Sequence, residues 1–236
     1  MITTVLFDLD GTLLPMDMDE FLKAYMGSLA VKLASHGYEP KRMIDTIWKG
    51  TAAMIRNDGV KTNEAVLWDL YVAEYGQEAY QDKSIFEDFY ENEFQQVQKA
   101  CGFAPEAAVA IRKIKEMGFR VALATNPLFP AIATYSRIRW AGLNADDFEL
   151  ITTYENSCHC KPNPTYFKDV LAALGISAEE CVMVGNDTSD DMCATALGIP
   201  VFFLTHSLIN KSNVDLTAYP HGDFADLLKY IEGLNK

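Results

Sequence analysis

The stretch VLFDLDGTLL, residues 5 to 14, places the carboxylates of Asp8 and Asp10 directly after an apolar run that is typical of a buried strand. Two like charges this close repel each other, so a folded chain needs a chemical reason to keep them together. Paired carboxylates can act as nucleophile and as general acid and base, and they can bind a hard divalent cation. Gly11 permits a tight turn beside a bound group. The stretch therefore predicts a reactive turn at a strand end.

Three further groups of polar residues follow other predicted strands. They are Thr125 and Asn126 after the run at 119–124, Lys161 in the loop after the run at 149–153, and Asp187, Asp190 and Asp191 after the run at 181–185. Taken singly, each group has an ordinary explanation, such as a helix cap, a surface lysine or a solvated acidic turn. Ligands of parallel α/β sheets bind outside the carboxyl ends of the strands. Four such groups therefore indicate one shared site.

The elements that must position these groups follow from the rhythm of the chain. Apolar runs typical of strands buried on both faces lie at 2–7, 119–124, 149–153, 181–185 and 199–204. Patterns that begin with proline and end with glycine predict helices at 105–118 and 164–175. Strands that alternate with helices predict an α/β fold with a Rossmann-like parallel sheet.

The interval between the first two predicted strands is far longer than the roughly 30 residues of a strand, crossover helix and strand. Its surplus, residues 16–100, has helical periodicity and no strand pattern. We expect a core formed by 1–15 and 101–236 and an inserted α-helical cap formed by 16–100. Within the cap, Met16, Met18 and Phe21 could line a pocket or merely join the domains, and Trp48 is expected to pack in the core.

Composition limits the partners of the chain. Its 236 residues include 20 Lys and Arg against 33 Asp and Glu, and the formal net charge of −13 repels nucleic acids and anionic membranes. We therefore expect neither nucleic acid nor a membrane as a partner. Five cysteines and the lack of a basic, apolar leader favour a cytoplasmic location. The sequence leaves the oligomeric state open.

Taken together, the four groups resemble the motifs of the haloacid dehalogenase superfamily. The motifs are DLDGT at 8–12, Thr125 within ATN, Lys161 within CKPNP, and VGNDTSDD at 184–191. The resemblance covers the expected core, and the insertion stands where that family has its first type of cap. One departure is GND in place of the commoner GD, which leaves the spacing of the carboxylates intact.

The resemblance implies a role for each matched residue. The catalytic set is Asp8, Asp10, Thr125 and Lys161; the phosphate-binding set is Leu9, Asp10, Thr125, Asn126 and Lys161; the metal-binding set is Asp8, Asp10, Asp187 and Asp191. Asp8 would attack phosphorus and Asp10 would be the acid and base, while Mg²⁺ would offset the crowded carboxylates. A helix beginning at Pro127 or Pro130 would direct free amides at the phosphate.

The function implied is a Mg²⁺-dependent phosphatase that hydrolyses a small phosphorylated metabolite through an aspartyl-phosphate intermediate. Two alternatives stay open: a phosphotransferase or phosphomutase of the same fold, and a non-catalytic binding or regulatory protein. A dehalogenase is disfavoured, because the dehalogenases that the chain resembles lack a carboxylate at the position of Asp10. The sequence does not identify the leaving group of the phosphate ester.

Overall fold

A five-stranded parallel sheet forms the centre of the computed structural model, which describes residues 1–235. The strands are β1 (Thr4–Phe7), β2 (Arg120–Leu123), β3 (Cys181–Gly185), β4 (Val201–Leu204) and β5 (His221–Gly222). Their order across the sheet is β2-β1-β3-β4-β5, and every neighbouring pair is parallel. Every residue of β1, β3 and β4 is buried, as their uninterrupted apolar runs predict. The expected α/β class with a Rossmann-like sheet is confirmed.

Eight α-helices accompany the sheet. They are α1 (Met18–Ser35), α2 (Pro40–Ile55), α3 (Asn63–Tyr75), α4 (Lys83–Glu91), α5 (Pro105–Glu116), α6 (Ala131–Trp140), α7 (Thr165–Leu174) and α8 (Phe224–Gly233). The helices expected at 105–118 and 164–175 are α5 and α7, each slightly shorter than predicted. Within residues 1–235, no helix combines the length and apolar character that a membrane span requires.

The run at 149–153, predicted to be a strand, is not one of the five strands. Only Ile151 forms a bridge, parallel to Leu123, and the amide of Leu123 donates to the carbonyl of Leu150 at 2.8 Å. This segment therefore lines the outer edge of β2 too briefly to extend the sheet. The fifth strand of the sheet is instead β5, at the opposite edge. It has two residues and no apolar run, so the sequence pattern could not predict it.

Residues 18–100 are built from α1 to α4 and from 3₁₀ segments at Gln77–Asp82 and Glu93–Ala100. The chain leaves and re-enters the sheet region side by side, since Met16 forms an antiparallel bridge with Cys101 and the Gly102 amide donates to the Pro15 carbonyl at 2.7 Å. The division into a core and a cap at these positions remains a prediction.

The helices of this insertion share one apolar cluster with the sheet. The cluster includes Phe7 of β1 and Phe21 and Trp68 of the insertion, all buried. Phe94 packs its ring 5.0 Å from that of Trp140 on α6. Because the cluster is continuous, removal of the insertion would expose apolar side chains of α6.

We predict that the insertion and the sheet unfold in one transition, since they share this cluster. Trp48 and Trp68 lie in the insertion and Trp140 lies on α6, so Trp48→Phe/Trp68→Phe and Trp140→Phe each leave fluorescence from one side. For each variant, the denaturant midpoint measured by fluorescence should equal the midpoint measured by circular dichroism. Separate midpoints for fluorescence and circular dichroism would mean that the cap unfolds independently.

Candidate active site

One cavity of about 1070 Å³ brings most of the expected site residues together at the carboxyl edge of the sheet. Its lining includes Asp8, Asp10, Thr125, Asn126, Lys161, Asp187, Asp190 and Asp191. Leu9 is the exception, because its side chain is fully buried in the core.

Lys161 is the central cation of this cavity. Its ammonium donates to Asp191 Oδ1 at 2.7 Å and to Asp8 Oδ1 at 3.1 Å, and its side chain is 1% exposed. Burial by itself would lower the pKa of Lys161, but the carboxylates of Asp191 and Asp8 outweigh burial and raise it well above its usual value. Burial raises the pKa of Asp8 to about 7 although Lys161 opposes the shift. One lysine thus forms ion pairs with two carboxylates.

Asp191 has both carboxylate oxygens occupied. Besides the bond from Lys161 to Oδ1, its Oδ2 accepts from the backbone amides of Asn186 and Asp187, both at 2.9 Å. The carboxylate comes so close to Gly185 that a Cβ there would collide with it. In this geometry Asp191 holds Lys161, and its expected metal-binding role stays a prediction.

The turn after β1 is fixed by Asn186, the residue by which the chain departs from the commoner GD motif. Thr12 Oγ1 lies 2.9 Å from Asn186 Oδ1 and 3.3 Å from Asp8 Oδ2, and Asn186 Nδ2 donates to the Ser207 carbonyl at 2.7 Å. Gly11 has a φ of +81°, and a Cβ there would collide with the Asn186 amide. Asn186 therefore joins the β1 turn to the loop after β4.

Thr125 and Asn126 are held by the loops around them. The Thr125 carbonyl accepts from Thr152 Oγ1 at 2.7 Å and from the Tyr166 hydroxyl at 2.9 Å. Asn126 Nδ2 donates to Asp190 Oδ2 at 2.9 Å, and Asn126 Oδ1 is buried without a partner among residues 1–235. Thr125 itself is 2% exposed, so its place in the cavity wall is rigidly defined.

The helix after Thr125 does not present a free amino end to the site as expected. Helix α6 begins at Ala131, and the Ala131 amide donates to both carboxylate oxygens of Glu155, at 2.9 and 3.0 Å. Glu155 thus caps the positive end of α6. The expectation that amides of this helix reach the phosphate is therefore wrong for Ala131.

Arg137 on α6 is the residue that sequence reasoning missed. It is fully buried, and its Nη1 forms an ion pair with Asp10 Oδ2. Its other nitrogens donate to the Ala133 carbonyl and to Thr134 Oγ1, and its guanidinium carbon lies 4.3 Å from the centre of the Phe129 ring. A basic residue in the middle of a helical segment looks like surface, so no sequence signal separates Arg137 from the exposed Arg139.

The far wall of the cavity belongs to the helical insertion. Met16, Met18 and Phe21 line this wall. The structure therefore supports a pocket-lining role for them over a role that merely joins the domains. Trp48 also lines this wall and is 42% exposed, so the expectation that Trp48 packs in the core is wrong.

A parallel sheet that carries a lysine and several aspartates at its carboxyl edge has the architecture of an α/β enzyme. The model of the haloacid dehalogenase-like hydrolases matches residues 2–206, and the chain belongs to this family. The resemblance drawn from the motifs is thereby confirmed.

Relatives and solved structures agree with the family. A phosphoglycolate phosphatase of Yersinia pseudotuberculosis is 27% identical over 232 residues, which cover 96% of this chain and 92% of the relative. A HAD phosphatase from Thermococcus onnurineus superposes with a TM-score of 0.61 at 18% identity, over 98% of this chain and 99% of that one. A 2-haloacid dehalogenase from Pseudomonas syringae pv. Tomato reaches 0.68 at 22% identity with the same coverage, which shows a shared fold. The expected enzyme class, a phosphatase-type hydrolase, is confirmed.

We predict that Lys161→Met destabilises the protein by roughly 3–5 kcal/mol, because it leaves two buried carboxylates without their shared cation. Adding Asp191→Asn should recover part of that loss, since one of the two like charges is removed. Lys168→Met, on the exposed face of α7, is the matched control and should change the free energy of unfolding little. Equal effects of the two lysine variants in denaturant titrations would contradict the role of the buried ion pairs.

Proposed function

We propose that the chain is a Mg²⁺-dependent phosphatase that hydrolyses phosphate monoesters through an aspartyl-phosphate on Asp8. The observation that carries the proposal is the buried ammonium of Lys161, which is held against Asp8 at the bottom of the cavity. A phosphoryl group brought to Asp8 would meet this fixed positive charge as negative charge develops on its oxygens. The family match and the relatives named phosphatases support the same chemistry.

Phosphate oxygens have several donors available near Asp8. The backbone amide of Asp10 donates to no protein oxygen within residues 1–235, which leaves it for a ligand. Thr125 supplies a hydroxyl and Lys161 an ammonium from the same cavity wall. Asn126 is tied to Asp190 through its side-chain amide, so we assign to it the positioning of that acidic loop.

The reaction takes place in two displacements. A carboxylate oxygen of Asp8 attacks phosphorus, the ester P–O bond breaks, and Asp10 gives its proton to the departing alkoxide. Water then attacks the phosphorus of the aspartyl-phosphate, Asp10 takes a proton from it, and inorganic phosphate leaves while Asp8 is restored. Asp10 lines the cavity, and its Oδ1 is buried without a protein partner among residues 1–235, so we assign the proton transfer to that oxygen.

The residues present fit a Mg²⁺ ion. No cluster of three His, Cys, Asp or Glu side chains suited to a metal occurs in residues 1–235. Mg²⁺ usually takes only one or two carboxylates and completes its shell with water and substrate phosphate. Asp8, Asp187 and the carbonyl of Asp10 would hold it, and its charge would stabilise the phosphate and the crowded carboxylates. The all-oxygen donor set, with several aspartates crowded around the cavity, supports a cation here.

The rival functions have less support. A phosphotransferase would need an acceptor alcohol in place of water, and no feature of the cavity favours one. A dehalogenase shares the fold, but the dehalogenases that the chain resembles lack a carboxylate at the position of Asp10, which this chain has in the cavity wall. A non-catalytic protein would have no use for a lysine buried between two carboxylates. The cytoplasmic location remains a prediction.

We assign to Arg137 the positioning of Asp10. A fully buried guanidinium with a fixed fork of donors holds the carboxyl group in one orientation, with Oδ2 bound and Oδ1 left without a protein partner among residues 1–235. Loss of that orientation affects proton transfer more than the fold, because Asp10 borders the cavity and can be hydrated.

We predict that Arg137→Met lowers kcat by about 100-fold, the scale of a misplaced catalytic group, while KM changes little. In an Asp10→Asn variant, Arg137→Met should lower kcat little further, because the carboxyl group that Arg137 orients is already absent. Arg137→Lys should recover part of the activity, and Arg139→Met on the exposed face of α6 is the matched control. Additive losses in the double variant, or melting temperatures that fall in step with activity, would reduce Arg137 to a structural role.

The test of the proposed function uses an aryl phosphate, whose leaving group departs without a proton. The wild type should release phosphate with Mg²⁺ and lose that activity with a chelator, and Asp8→Asn should be inactive although folded. Asp10→Asn should show a burst of phenolate near one equivalent of enzyme, followed by turnover slowed roughly 10²- to 10⁴-fold. An alkyl phosphate should show no burst. Turnover by a folded Asp8→Asn variant would exclude the covalent mechanism.

A further inference from the structure

The cavity continues from the phosphate site into the helical insertion, where its wall is almost entirely apolar. This part, which we call the chamber, is lined by Met18, Phe21, Leu22, Tyr25, Met26, Ile47, Trp48, Thr51, Met54, Ile55, Leu67, Trp68, Phe86, Tyr90, Leu128, Phe129 and Tyr154. Eight of these residues are aromatic. A wall of this kind binds apolar and aromatic groups by removing their surface from water.

The chamber has no cation to receive a second charge. Of the lysines and arginines, only Lys161 and Lys211 line the whole cavity within residues 1–235. Lys161 is already bonded to two carboxylates, and Lys211 is exposed on the loop after β4. Asp17 and Asp19 also line the cavity, and their carboxylates would repel an anion. A carboxylate or second phosphate on the leaving group would be desolvated without a partner, which is costly.

The polar groups of the chamber are neutral donors. The hydroxyls of Tyr25 and Tyr90 are hydrogen-bonded to each other at 2.8 Å, and this bond uses only one of their two protons. Burial raises the pKa of Tyr25 to about 12 and that of Tyr90 well above its usual value, so both stay protonated. The indole N–H of Trp68 is buried without a hydrogen-bond acceptor among residues 1–235, and the Tyr154 hydroxyl lies near it.

We infer that the substrate is a phosphate monoester whose leaving group is large, uncharged and mainly apolar or aromatic, with an oxygen or nitrogen acceptor for the chamber's neutral donors. The inference rests on the proposed function and names its substrate class. It separates this chain from its relatives named phosphoglycolate phosphatase, since the glycolate leaving group is small and carries a carboxylate. The reaction is unchanged: the ester P–O bond breaks, and the alcohol and inorganic phosphate are released.

The experiment compares three esters of primary alcohols, which differ little in the chemistry of the breaking bond: 2-phenylethyl phosphate, ethyl phosphate and 2-phosphoglycolate. Burial of the phenyl group should raise kcat/KM of the first over the second by roughly 30- to 150-fold, which corresponds to about 2–3 kcal/mol. 2-Phosphoglycolate should be the poorest of the three. If it is turned over as well as the phenylethyl ester, the inference is overturned while the phosphatase stands.

Binding keeps the inference testable if the enzyme does not turn over. The matching phosphonates, in which CH₂ replaces the ester oxygen, are 3-phenylpropylphosphonate, propylphosphonate and 3-phosphonopropionate. Calorimetry with Mg²⁺ should give the lowest Kd for 3-phenylpropylphosphonate and the highest for 3-phosphonopropionate, which carries a carboxylate besides the phosphonate. Absence of turnover together with this order would refute the phosphatase but support the chamber's preference, whereas equal affinities would refute the preference.

A variant that adds a cation tests the chamber directly. Thr51 lies on α2 in the chamber wall, and Thr51→Arg should lower the ratio of kcat/KM for the phenylethyl ester to that for 2-phosphoglycolate by at least tenfold. Val31→Arg is the matched control, because Val31 is 74% exposed on α1 and does not line the cavity. An unchanged ratio in a folded Thr51→Arg variant would show that this wall does not contact the leaving group.

Discussion

The buried ammonium of Lys161 is the interaction on which the arrangement of the site depends. A charge that is 1% exposed must be paired, and its two partners come from the ends of β1 and β3. The lysine itself stands in the loop before α7, so one cation fixes three separate segments relative to each other. The close approach also explains Gly185, where any side chain would displace the carboxylate of Asp191.

Features set by local sequence could be predicted, whereas features set by contacts between distant segments could not. Apolar runs located β1 to β4, and polar residues just after them located Asp8, Thr125 and Asp187, because both signals are local. The run at 149–153 has the same composition but meets only the edge of β2, and neighbours in space decide that outcome. Asp191 has the expected position, but its bonds to the Asn186 amide and to Lys161 could not be predicted, since they arise only when two loops meet. The burial of Arg137 could not be predicted from the sequence, because which face of a helix is buried depends on the element packed against it.

Two environments meet within the one cavity. At the sheet edge, carboxylates and Lys161 provide strong and directional interactions, which suit a phosphoryl group that is common to every phosphate monoester. In the chamber, aromatic and aliphatic side chains provide interactions that grow with buried area and discriminate by size and charge. The motifs that identify the family therefore lie in the first environment, whereas specificity belongs to the second, where residues of ordinary apolar type give no motif.

Phe129 links these two environments physically. Its ring lies 4.3 Å from the guanidinium of Arg137 and 5.2 and 6.1 Å from the rings of Tyr25 and Phe21 in the chamber wall. Arg137 in turn is paired with Asp10. A leaving group packed against Phe129 would therefore contact the ring that lies against Arg137, the residue that we propose orients Asp10, whereas a ligand too small to reach Phe129 would not. Contact with the distant part of the substrate can in this way be expressed at the reacting oxygen, which is how binding energy serves catalysis as well as affinity.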